Sequence, residues 1–131
     1  MGIKANTIIE IVGKPKEHII EVMDKAVSLI KTNNSFRYIS HSTETPHSIP
    51  QSDKIFSTFS EFEIEFPDLL SLSGFCFDFM PSSIEIIEPE NIKTKSSELK
   101  DTLNDLLAKL HQYDMVLKKY ILEEQSKKKN D

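Results

Sequence analysis

The feature that most constrains this chain is residues 55–89, IFSTFSEFEIEFPDLLSLSGFCFDFMPSSIEIIEP, which holds most of its phenylalanines and its only cysteine. Phe62, Ile64 and Phe66 alternate with Glu61, Glu63 and Glu65. A period of two puts all three apolar side chains on one face of a strand and the carboxylates on the other. Pro67-Asp68 breaks that strand, and Asp68 is a favourable N-cap. Leu69, Leu72, Phe75, Cys76 and Phe79 follow at helical spacing. Met80-Pro81 ends the helix, because proline disfavours helical backbone in the residue before it. Residues 83–88 then read as a strand with Ile84 and Ile86 on one face.

The rest of the chain supplies partners for this strand-helix-strand unit. Residues 4–12 read as a strand apolar on both faces, Ile9 and Ile11 against Ile8 and Val12, as in a central strand. Gly13 ends it, and Pro15 suits a first helical turn. Residues 18–31 carry Ile19, Met23, Ala26, Val27 and Ile30 as one amphipathic stripe. A short strand at 36–40 follows, with Phe36 and Tyr38 sharing a face. Residues 41–54, polar and holding two prolines, read as a loop, a long one for two strands that should pair as a hairpin, or in part as extensions of those strands. A final helix starts near Thr94, Ser96 or Ser97 and runs to about Gln125. The order β-α-β-β-α-β predicts a ferredoxin-like α+β fold: an antiparallel four-stranded sheet with two helices on one face, plus a long C-terminal helix. The expected division is a domain at 1–92, the helix at 93–125, and a disordered basic tail at 126–131.

A chain of 131 residues, 38% hydrophobic and 28% charged, suits one globular domain with a real core. The net charge of −5 argues against a nucleic-acid surface. No apolar run reaches membrane-spanning length. The opening MGIKANTIIE has no signal-peptide pattern, and Asn6 stands where a myristoylation motif needs Ser or Thr. One cysteine fits a reducing compartment, so a cytoplasmic location is expected.

No constellation of reactive residues stands out. His41 and His47 lie six apart near Glu44, without further ligands at metal-binding spacing. Cys76 sits mid-helix among aromatics, the setting of a buried structural thiol rather than a nucleophile. Glu61, Glu63 and Glu65 are equivalent exposed carboxylates: a solvated face, or a docking face for a basic partner. Gly13-Lys14-Pro15-Lys16 has one glycine, too few for a phosphate loop. Catalytic, cofactor-binding and metal residues are therefore expected to be absent.

The strongest remaining signal is in the last helix. Leu99, Leu103, Leu106, Leu110, Tyr113, Leu117 and Tyr120 advance in steps of 4-3-4-3-4-3. That is an unbroken a/d heptad seam. Leu107 and Ile121 flank it, in position to contact the sheet. A helix this long overhangs its own domain, so the seam predicts a homodimer.

Two resemblances rest on particular words. GFCFDFMPSSIEIIEP together with LNDLLAKLHQYD resembles a signature of small uncharacterised proteins from archaea with reduced genomes, a likeness that spans most of residues 1–125 and implies no activity. SIEIIEP followed by ELKDTLNDLLAKL is similar, more weakly, to the C-terminal extension of WYL-domain transcriptional regulators. That extension implies a ferredoxin-like fold that senses ligands or helps dimerisation. This chain lacks both the WYL domain and a helix-turn-helix.

The leading expectation is a non-enzymatic dimeric module that binds or regulates a protein partner. The runner-up is a small-molecule sensor with Arg37, Tyr38 and Phe59 as contacts. A small enzyme using a Glu and a His is the third.

Overall fold

The computed structural model describes residues 2–129. Eight elements follow in order: β1 (Ile3–Gly13), α1 (Lys16–Thr32), β2 (Arg37–Thr43), β3 (His47–Ile49), β4 (Ser52–Phe66), α2 (Leu69–Phe79), β5 (Ser83–Glu88) and α3 (Ser96–Lys129). They form an α+β molecule with one five-stranded antiparallel sheet and a long C-terminal helix. The main strand order is β2-β4-β1-β5, and the short β3 pairs with β4.

The period-two pattern decides which face of the sheet is buried. Ile3, Ala5, Thr7 and Ile9 of β1 point to the helical side, as do Phe62, Ile64 and Phe66 of β4. Phe36 and Phe75 join them, with Phe36 meeting Phe66 at 5.5 Å and Phe75 at 5.4 Å between ring centroids. Ile19, Met23 and Ile30 of α1 are buried as well. Asp68 caps α2 as its type predicts: its Oδ1 accepts from Ser71 N–H at 2.8 Å, and Ser71 Oγ answers the Asp68 N–H at 3.4 Å. Met80 closes α2 in the left-handed region at φ 45°, where a side chain is strained.

Three expectations need correction. Residues 41–54 are not one loop: their ends extend β2 and β4, as the alternative reading has it, and between them lies an additional strand, β3. Their polar side chains gave no apolar alternation, yet the backbone of β4 satisfies theirs, with Ser48 opposite Phe56 and Thr43 opposite Ser60. The sheet therefore has five strands rather than four. Secondly, α3 runs on to Lys129, past the expected end at Gln125, because lysines are good helix formers. Asn130 and Asp131 of the expected tail lie outside the described residues. Thirdly, Leu107 and Ile121 do not reach the sheet. α3 packs on α2, and both side chains are about half exposed.

β5 pairs with β1 alone, so it is an edge strand. Ile84 and Ile86 stand opposite Thr7 and Ala5 and so point to the helical side. Neither is fully covered: they are 39% and 42% exposed, whereas Thr7 and Ala5 are fully buried. α1 and α2 lie over β1, β2 and β4, and no helix packs on β5 to a comparable extent.

Candidate interaction site

α3 is built to join two surfaces. Thr102 is its only buried residue among those described, and its hydroxyl donates to the Glu98 carbonyl at 2.8 Å. Lys109 reaches Asp105 at 3.3 Å on its own helix and Asp78 of α2 at 3.6 Å, and its ammonium stands 6.0 Å from the Phe77 ring centre. One turn on, Tyr113 meets Phe77 edge-on at 6.5 Å. These contacts use the flank of α3 that carries Thr102, Asp105 and Lys109. Most of the leucines project elsewhere.

The structure places the seven seam residues on one side of α3, and of these only Leu106 is substantially covered. Leu99, Leu103, Leu110 and Leu117 are each close to half exposed, as are Tyr113 and Tyr120. Beyond Lys109 nearly every residue of the helix is exposed. Val116 and Ile121, which flank the seam, extend the bare apolar surface, and soluble monomers seldom expose contiguous patches of this extent. The seam is flanked by charge. Lys118 and Asp114 pair at 2.8 Å, and this hydrogen bond pushes the Lys118 ammonium up from its ordinary range.

The other candidates are not brought together. Arg37 and Phe59 lie on the open face of the sheet, where Arg37 pairs with Glu65 at 3.1 Å. Tyr38 faces the opposite side, and its hydroxyl lies 2.6 Å from His41 Nδ1. His41 in turn stacks on Phe62. His47 lies further along, on β3, opposite Ser57. Of the three carboxylates in the row, Glu63 lies 3.8 Å from Lys4 and Glu65 is taken by Arg37. Cys76 is partly buried, and burial pushes its thiol up, against nucleophilic use. A groove of about 300 Å³ between α2 and α3 includes Phe36, Ser71, Gly74, Asp78 and Lys109 in its lining. Its lysine is already paired with aspartates.

Sequence reasoning missed the uncovered inner face of β5. Alternation identifies a strand and its faces, but carries no record of which helix lies above it. The unusual three isoleucines in six residues of β5 were the available signal.

No described helix is long and apolar enough to cross a membrane. Comparison with curated proteins and with solved structures finds no match. The family model that does match covers residues 4–131, nearly the whole length, and on that ground the chain belongs to the MJ0538 family.

Proposed function

We propose that this protein is a non-enzymatic homodimeric module that binds or regulates a protein partner, with α3 as the dimer element. The observation that carries the reading is the exposure of the seam along a helix whose packing is against α2. Full burial of a leucine contributes about 1.5–3 kcal/mol, so several half-exposed ones retain enough to drive association. The positioning fold is read as ferredoxin-like. The order β2-β4-β1-β5 with its two β-α-β connections supports this, β3 being an addition to the hairpin. The likeness to the WYL extension, an element that senses ligands or helps dimerisation, is compatible with the same reading. A cytoplasmic location agrees with the acidic balance and the single cysteine.

Light scattering or sedimentation tests this. The unaltered chain should be a dimer at micromolar concentration, and the double variant Leu110→Glu/Leu117→Glu a soluble monomer with unchanged far-UV circular dichroism. An unaltered chain that stays monomeric up to millimolar concentration defeats the proposal.

A further inference from the structure

α3 consists of two halves of similar length. Residues 96–113 run along α2, from the buried Thr102 to the Tyr113–Phe77 contact. Residues 114–129 extend past the end of α2. At about 1.5 Å per residue each half is roughly 25 Å long, close to the ~20 Å of a six-residue strand such as β5.

The leucine flank of the first half overlooks β5. Asp105 and Lys109 line the groove whose other wall includes Asn33 and Phe36, so that flank of α3 faces the β2 side of the molecule. Helical periodicity puts Leu103, Leu107 and Leu110 on the opposite flank. The strand order makes β5 the sheet edge on that side. Ile84 and Ile86 point to the helical side, where no described helix packs on β5 as α1 and α2 pack on β1 and β4. The bare face of β5 and the leucine flank thus lie on the same side of α2, and a helix laid against both would occupy an apolar cleft there.

Resting on the homodimer reading, we infer that this cleft receives the second half of α3 from a second copy, in an antiparallel pair. The two-fold axis passes between Leu110 and Tyr113, so Leu110 faces the partner's Tyr113 and Leu103 the partner's Tyr120. Each overhang then fills the other chain's cleft. One symmetry operation covers both surfaces that the chain leaves bare, as an isologous contact requires. A parallel coiled coil would join the seams but leave Ile84 and Ile86 in water. A foreign partner in the cleft would leave the overhang bare. β5 places no charge on the face it offers: Glu85 stands opposite Asn6, and Glu88 lies 3.6 Å from Lys4, both on the open face, so an apolar seam suits it. The paired surface extends along the whole helix and a strand, on the scale of the ~800 Å² per partner that stable interfaces bury.

The test uses the full chain with Cys76→Ser as background. Leu103→Cys and Tyr120→Cys chains are mixed and oxidised. The antiparallel pair gives a disulfide between the two different chains, whereas a parallel pair gives each chain cross-linked to itself. In a second arm, Ile84→Lys/Ile86→Lys should weaken the dimer by at least about tenfold, with Val12→Lys on the open face as an unaffected control. Self-cross-linked products alone, or an unchanged dimer constant for the β5 variant, overturn the inference while the homodimer stands, and the cleft then belongs to another molecule. A monomeric unaltered chain overturns both.

Discussion

Phe62 and Glu63 are neighbours in β4 with opposite roles. Phe62 is fully buried between Thr7 on β1 and His41 on β2, while the Glu63 carboxylate meets Lys4 at the surface. Truncating a buried phenylalanine costs about 3–5 kcal/mol, and an unpaired buried charge costs more. Phe62→Asp should therefore abolish the cooperative thermal transition. Glu63→Lys loses one exposed ion pair, worth about 0–1 kcal/mol, and should melt within a few degrees of the parent. Equal losses would mean that the strand register is wrong. Cys76 offers a second test at this scale. Burial raises its thiol pKa, so the folded state holds the proton more tightly than the unfolded chain does. The resulting stability is present below the unfolded thiol's pKa and is lost as pH rises through the folded value. Thiol reagents should label the native protein slowly, with the rate rising at a pH above the ordinary thiol range, and guanidinium should remove the delay. Fast labelling of the native chain near neutral pH contradicts this.

Among the elements, α2 is the best-specified piece and has one weak point. Its start is fixed by the reciprocal Asp68–Ser71 hydrogen bonds, and its end by Met80 in the left-handed region. Met80 is 61% exposed, so its side chain contributes little packing there. Glycine adopts this conformation without steric penalty and is the usual residue at such helix ends. Met80→Gly should stabilise the protein by about 0.5–1 kcal/mol, read as a rise in Tm. A fall in Tm would show that the exposed methionine has a partner. Much of this level was legible beforehand. The alternation of Phe62, Ile64 and Phe66, the Asp68 cap and the Leu72–Phe75–Phe79 stripe are local patterns read within a few residues. β3 was not legible, because His47, Ser48 and Ile49 form a strand only by pairing with β4. The end of α3 was not legible either, because a run of lysines after Gln125 has the composition of a polar tail and still continues the helix.

For the whole molecule, the decisive quantity is the apolar surface left bare by three layers of unequal extent. The sheet lies under α1 and α2, and α3 packs on α2 rather than on the sheet. β5 and the outer half of α3 are therefore left without cover within the chain. A dimer that covers them makes stability depend on concentration, since the partner binds only the folded state. Tm should rise with protein concentration over the micromolar range, and Leu110→Glu/Leu117→Glu should remove that dependence. Amide exchange adds the spatial detail: residues 114–129 should be protected in the unaltered protein and exchange freely in the variant. A concentration-independent Tm would place the stability of α3 within one chain.

The boundary between sequence and tertiary structure falls along the range of the forces involved. Strand faces, helix caps and the heptad seam are set by spacing along the backbone, so the sequence by itself determined them. It also determined that α3 is too long for its own domain. Only the folded chain decided which of the apolar faces are covered. Ile84 and Ile64 look alike in their alternating strands, yet Ile64 is fully buried and Ile84 is not. The difference is that β4 lies beneath α1 and α2, whereas β5 is an edge strand that α3, seated on α2, leaves bare. Burial depends on where distant segments come to rest, and no local pattern encodes that.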